Sequence, residues 1–163
     1  MKRSIKLTID IDPSIEEPEV IIKSNKESSL IKKIASIIQQ YTEQERPPIL
    51  AYRDDTEIMV DQLDIIRVYV EQRRLVVCTH EGRLQMKCTL RELEGMLDSD
   101  WFVRISRYEI INLNWVANFD LSFKGTIKVV FEDGNFTWVS RRFVGSVEYK
   151  LEDLSGWEGA GDE

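Results

Sequence analysis

Between Ile58 and Val139 the chain is a succession of short runs rich in β-branched and aromatic residues, most of them separated by tight turns. The pattern predicts strands at 58–62, 64–71, 73–80, 83–88, 102–105, 115–123, 126–132 and 135–139, because such side chains suit a pleated, half-buried surface. Glu81-Gly82 and Asp133-Gly134 are hairpin signals, since glycine takes the positive φ that a tight turn demands. Across Asp133-Gly134, Val129 would face Trp138 and Phe131 would face Phe136. Across the other hairpin, Cys78 would face Gln85 and Cys88 would face Leu75. A chain so dense in hairpins is expected to be mainly β. Thr89-Leu90-Arg91-Glu92 is a capping box that opens a short helix with Leu90, Leu93, Met96 and Leu97 inward. A last helix is expected from near Ser140 towards Leu151, with Val144, Val147 and Leu151 on its apolar face.

The N-terminal part reads differently. Ile5, Leu7, Ile9 and Ile11 alternate along 4–11 and predict a strand; Glu19–Lys23 predicts a second. Ser24-Asn25-Lys26-Glu27 has capping-box spacing, and Leu30, Ile31, Ile34, Ile37, Ile38 and Tyr41 recur at helical spacing behind it, over 25–41. A β-β-α unit of this size buries little by itself, so it must pack on the rest of the chain or on a second copy. Pro47-Pro48 stiffens the connection that follows. The expected division is an extension at 1–45 that supports a homodimer, a linker at 46–57, a main domain at 58–151 and a disordered acidic tail at 152–163.

Composition excludes more than it selects. Charges at Lys6, Asp10 and Asp12 break any leader-like apolar stretch, and no apolar run reaches the length of a membrane span. A cytoplasmic protein is expected. Cys78 and Cys88 would point to opposite faces and are read as reduced, structural thiols. There is a single histidine, His80, and no His/Cys cluster for a transition metal. The eight glycines are scattered rather than gathered into a phosphate loop. Asp10-Ile11-Asp12 reads as a solvated strand end. No Ser or Cys has an evident base partner. The expectation is a non-enzyme with no cofactor, no metal and no small-molecule substrate. The net charge of −7 is concentrated at the C-terminus, where 151–163 holds Glu152, Asp153, Glu158, Asp162 and Glu163 and no Lys or Arg. The middle of the chain is neutral and can still gather arginines on one edge.

Arginines do sit beside the predicted turns. Arg73-Arg74 lie in the tight connection between two strands, Arg104 and Arg107 in Trp101–Leu113, and Arg141-Arg142 at the start of the last helix. An arginine fork matches both guanine O6/N7 and phosphate oxygens. Ser106, Tyr108 and Ser140 add hydroxyls suited to phosphates. The competing reading is a set of surface arginines paired with nearby acids.

The residues Phe102-Val103-Arg104-Ile105-Ser106-Arg107-Tyr108-Glu109-Ile110-Ile111-Asn112 resemble the central motif of the LytTR family of bacterial DNA-binding domains, roughly F-x-R-I-H-R-S-x-I-V-N. Further landmarks fall in order: Ile58-Met59-Val60, Asp64-Ile65-Ile66, Glu81-Gly82, Thr89-Leu90-Arg91-Glu92-Leu93-Glu94, Asp133-Gly134 and Val139-Ser140-Arg141. The resemblance implies an elongated antiparallel β fold with a short connecting helix, here carrying the β-β-α extension. It implies a transcription regulator that binds direct repeats in double-stranded DNA by inserting loops into successive grooves. Carried over, Arg73, Arg107 and Arg142 fall on base-reading positions. Arg74, Tyr108, Ser140 and Arg141 fall where the family touches the backbone, with Ser106 in the same loop. Asn112 is read as a local hydrogen-bonding residue and Arg104 as a brace for the loop. Ser106 and Tyr108 replace the family's usual histidine and serine, which touches sequence preference rather than fold. Residues 1–57 show no receiver-domain pattern, so a stand-alone regulator is expected. The alternative is a protein–protein interaction module, an anti-regulator or the partner of a membrane protein, on the same scaffold.

Overall fold

The structure, a computed structural model, describes residues 5–43 and 46–155, the side chains of 40–43 and 155 excepted. The chain divides into two compact units at Glu45/Arg46. In the first, the described residues form one element, helix α1 (Ser29–Glu43). The strands expected at 4–11 and 19–23 are absent from the described residues 5–28. Alternation gives these segments the right side chains, but a strand also needs a ladder partner and a covered apolar face, and a lone pair of strands is marginal in water. The helix also starts later than expected. Ser24 folds back on Lys26, its Oγ donating to the Lys26 carbonyl at 2.8 Å, while Ser28 Oγ accepts from the Ile31 amide at 3.4 Å.

The second unit opens with a hairpin where a linker was expected. Strand β1 (Ile49–Arg53) pairs with β2 (Thr56–Val60) across Asp54-Asp55, and Ile49 and Ala51 are buried. Asp54 takes the left-handed φ of 53°, which a short polar side chain tolerates better than most. The stiff Pro47-Pro48 therefore leads directly into a sheet. Strands β3 (Ile65–Glu71), β4 (Arg74–Thr79) and β5 (Gly82–Met86) follow, then helix α2 (Leu90–Met96), then β6 (Phe102–Ser106) and β7 (Glu109–Asn112). All seven strands form one antiparallel sheet in the order β2-β1-β5-β4-β3-β7-β6. Strands β8 (Val116–Asp120), β9 (Ile127–Phe131) and β10 (Phe136–Val139) form a second sheet, and α3 (Arg141–Ser155) closes the unit. The helix runs through 152–155, four residues expected in the tail; 156–163 lie outside the described residues.

Two cores lie on opposite faces of the large sheet. One joins Val68, Leu75, Val77, Leu84 and Ile110 to the α2 residues Leu90 and Leu93, to Leu97 and to Phe102. The other joins Ile66, Ile105 and Ile111 to Ile127, Val129, Phe131 and Val139 of the second sheet and Val147 of α3. Because β7 is covered on both faces, its neighbours Ile110 and Ile111 are both buried.

Both hairpin registers differ from expectation. Phe131, Glu132, Asp133 and Gly134 make a turn closed by the Gly134 amide on the Phe131 carbonyl, with Gly134 at φ 85° and the Phe131 amide donating to Asn135. This is a three-residue loop with a bulge rather than a two-residue turn. One extra residue slides the ladder by one, so Phe136 faces Val130 and Trp138 faces Lys128. A one-residue slip exchanges faces: Thr137 and Val139 turn inward while Phe136 and Trp138 stay exposed. In the other hairpin Cys78 faces Arg83 and Leu75 faces Met86, two residues from the expected pairs, which keeps each side chain on its face. Both cysteines are free.

Candidate nucleic-acid interface

Strand pairing gathers the arginine turns at one end of the scaffold. The β3–β4 turn is Gln72-Arg73, flanked by the pair Glu71–Arg74. The β6–β7 turn is Arg107-Tyr108, and β7 lies beside β3 with Glu109 opposite Tyr69. The Val70 amide donates to the Tyr108 carbonyl at 2.9 Å, tying the two turns together. The end of β10 reaches the same place, because the Ser140 amide donates to the Ile105 carbonyl at 2.9 Å. Arg73 and Arg107 thus occupy neighbouring turns, with Tyr108 beside Arg107 and Arg74 opening β4, and the Ser140 bond brings in the start of α3, which carries Arg141 and Arg142.

Local chemistry sets how each side chain is offered. Gln72 and Arg73 both have positive φ, 49° and 63°. That is the primed turn favoured by tight hairpins, but it is normally filled by Asn or Gly. A bulky residue held there stores about 1–3 kcal/mol of backbone strain, which the flanking β3–β4 ladder outweighs. The result is an arginine carried at the tip of a rigid turn. Arg104 works underneath the neighbouring turn. Its Nε donates to the Ser106 carbonyl at 3.1 Å, one Nη to the Arg107 carbonyl at 2.7 Å, and the other Nη to Glu94 at 2.7 Å. Ser106 Oγ accepts from the Tyr108 amide at 3.1 Å. With its carbonyls held from below, the turn leaves the Arg107 and Tyr108 side chains exposed, the guanidinium 5.7 Å from the ring centre.

Acids near this end are engaged by other groups. Glu109 binds Arg67 at 3.0 Å and accepts from Thr137 Oγ1 at 2.7 Å; Glu94 binds Arg104; Glu71 lies 3.8 Å from Arg83. Among the described residues Arg73, Arg74, Arg107, Arg141 and Arg142 form no ion pair, and all five are exposed. Two further cations join them that the sequence gave no reason to include. Lys124 belongs to loop 121–126, and the strand order brings that loop to Arg141, whose Nε is 3.8 Å from where a Cβ on Gly125 would stand. Lys87 follows Met86, which pairs with Leu75 beside Arg74, and its ammonium sits 4.0 Å over the Tyr52 ring. Neither signal is local in sequence.

Asn112 lies at the other end of β7, fully buried. Its Nδ2 donates to the Ile65 carbonyl at 2.8 Å and the Gln62 carbonyl at 3.3 Å, while Oδ1 accepts from the Asn114 amide at 3.0 Å. These bonds tie the end of β7 to the 62–65 segment that leads into β3. Gln62, also buried, completes that arrangement: Nε2 donates to Pro47 and Met96, and Oε1 accepts from the Asp98 amide. His80 is at this far end, stacked 6.0 Å from Trp115. Burial pushes the Cys88 thiol up, away from the thiolate form that a nucleophile needs. No group of three metal-ligating side chains occurs among the described residues, and none of their helices is long and apolar enough to cross a membrane.

The end of the sheet is therefore a cluster of tight turns and a helix start bearing exposed guanidinium groups, without the acid pairing among the described residues that would neutralise them. A Staphylococcus aureus (strain MRSA252) protein described as an uncharacterized HTH-type transcriptional regulator is 25% identical over 147 residues, covering 90% of this chain and 98% of its own. A counterpart from the bovine strain RF122 is 27% identical over 148 residues, with the same coverage. A solved LytTr DNA-binding domain from Bacillus cereus superposes with a TM-score of 0.63 at 20% identity, covering 66% of this chain and 98% of that domain. The LytTr DNA-binding domain family, one of DNA-binding domains rather than of enzymes, matches residues 55–152, and the chain belongs to it.

Proposed function

We propose that the protein is a cytoplasmic transcription regulator that binds specific duplex DNA at direct repeats. Arg73, Arg107 and Arg142 read base edges. Arg74, Tyr108, Ser140 and Arg141 hold phosphates, joined by Lys87 and Lys124, and Arg104 and Ser106 fix the shape of the central turn. The observation that carries this reading is the convergence of two arginine-bearing turns and the arginine-bearing start of α3, free of acid partners among the described residues, at one end of the sheet. The Staphylococcus relatives are named HTH-type regulators. Among the described residues here no two successive helices are joined by a short turn, so groove reading falls to the turns themselves. The protein acts as a homodimer joined through its N-terminal unit, a reading supported by the apolar stripe of α1 and the alternation of residues 5–11.

Gel retardation with the duplex upstream of the protein's own gene tests the assignment. Retardation at moderate salt that weakens steeply as salt rises is expected, because phosphate contacts release counterions. Loss of that retardation in Arg107→Ala and Arg142→Ala is expected as well; unchanged binding in both would overturn the site. Exposed Phe136 and Trp138, packed edge-to-face with ring centres 6.5 Å apart, favour a second reading, a protein–protein module on this scaffold. Absence of any retardation at low salt would select it.

A further inference from the structure

The N-terminal unit carries apolar residues that stay exposed among the described residues. Ile5, Leu7, Ile9 and Ile11 are 63%, 83%, 76% and 82% exposed. No described side chain between residues 5 and 39 is buried. Along 5–11 the described residues form no backbone hydrogen bond. Yet Ser4-Ile5-Lys6-Leu7-Thr8-Ile9-Asp10-Ile11-Asp12 has strict strand alternation and strong β propensity. The segment is built for a ladder it does not find among the described residues.

Its sequence says which ladder. Laid antiparallel against a second copy about a two-fold axis through Thr8, Lys6 of each copy stands opposite Asp10 of the other. Ile5 stands opposite Ile11, and Leu7 opposite Ile9. Every cross-strand pair is then either apolar–apolar or of opposite charge, and the one self-pair is Thr8 on Thr8. Sliding the pairing by two residues one way leaves Lys6 opposite Thr8; the other way leaves Ile5 opposite Pro13, which cannot donate to a ladder. In-register parallel pairing sets Lys6 on Lys6 and Asp10 on Asp10, a repulsive arrangement. Self-complementarity of this kind is what a two-fold interface requires, since the same patch must serve both copies.

We infer that residues 5–11 form an antiparallel β-pair with the same segment of a second copy, centred on Thr8, with Lys6–Asp10 ion pairs on one face. Glu19–Lys23 of each chain is a ready outer strand. The apolar face along Ile5, Leu7, Ile9 and Ile11 gives the half-buried α1 residues Ile31, Ile34 and Ile38 a surface to cover. This rests on the homodimer reading above and specifies how the copies join.

Sedimentation of the full chain from micromolar to hundred-micromolar concentration tests it. The wild type is expected to dimerise as concentration rises. Lys6→Asp places two acids opposite each other twice per dimer, and Asp10→Lys does the same with two lysines. Each should raise the dimer dissociation constant by about tenfold. The double variant K6D/D10K should return it to within about threefold of wild type. Mixing the two single variants should give a heterodimer tighter than either homodimer, because the pairs across the axis become complementary. A monomer at every concentration would overturn the dimer and the pairing together. A dimer indifferent to all the charge changes would overturn the pairing alone.

Discussion

The two units use similar side chains to opposite effect. In the C-terminal unit, runs of Ile and Val fall on strands whose neighbours are present, and both faces of the large sheet are covered. In the N-terminal unit, equally apolar runs stay exposed and form no strand among the described residues. Alternation therefore specifies which face a strand would bury, not whether a partner exists to bury it against. The largest expected effect that separates the units is a core truncation. Phe131→Ala empties a site between the sheets where the ring is almost fully buried, and should cost about 3–5 kcal/mol in denaturant unfolding followed by tryptophan fluorescence. Ile9→Ala, under conditions where the chain is monomeric, should shift the same midpoint by less than about 0.5 kcal/mol. Equal costs would show that Ile9 is buried within one chain.

Next in size is the buried polar anchor at the far end of the sheet. Gln62→Leu strands the Asp98 amide without its acceptor and leaves the Pro47 and Met96 carbonyls without their donor. The cost should be about 2–3 kcal/mol, typical of buried groups left unsatisfied. DNA affinity measured well below the melting temperature should not change, since Gln62 is remote from the arginine turns. Arg107→Ala should behave in the reverse way. It should lose about 1–3 kcal/mol of specific binding, read by anisotropy of a labelled cognate duplex, at unchanged thermal stability. Arg104→Ala should lower both, because its guanidinium holds the turn that carries Arg107.

How much of this was legible in the sequence depends on how local each signal is. Strands β3, β4, β9 and β10 were readable because runs rich in β-branched and aromatic residues ended at tight turns. Strand β1 was hidden behind Pro47-Pro48, which stiffens a sheet entry as readily as a linker. Strand β7 was hidden because Ile110-Ile111 is buried on both faces and so does not alternate. The Asp133-Gly134 turn was located correctly but given one residue too few, and that residue turned Phe136 and Trp138 outward. At the candidate site the arginines announced themselves by sitting beside turns and at the start of the last helix. Their convergence did not, because it depends on pairings such as Val70 with Tyr108 and Ser140 with Ile105. Lys124 was missed for the same reason: only the order β10-β9-β8 brings its loop to Arg141.

The smallest expected effect isolates the comparison most cleanly, because one motif occurs in both units. Ser24-x-x-Glu27 and Thr89-x-x-Glu92 share capping-box spacing. At Thr89 both reciprocal bonds form: Glu92 accepts from the Thr89 amide at 2.8 Å, and Thr89 Oγ1 accepts from the Glu92 amide at 3.2 Å. At Ser24 neither forms, and the hydroxyl turns to Lys26 instead. The difference is that α2 is already fixed by Leu90 and Leu93 in a core, so its first turn is in place to be capped. Thr89→Ala should cost about 1 kcal/mol, and Ser24→Ala should be close to neutral in the same melt. The bond from the Thr89 amide, followed by the Thr89 hydroxyl, holds the Glu92 carboxyl below its ordinary value of 4.5. A lowered folded-state pKa contributes stability above that ordinary value and loses it as pH falls through the folded one. Wild type should therefore lose its advantage over Glu92→Gln as pH falls below 4.5. A gap between the two melting temperatures that stayed constant from pH 7 down through the acid range would show that the carboxylate adds nothing to the cap.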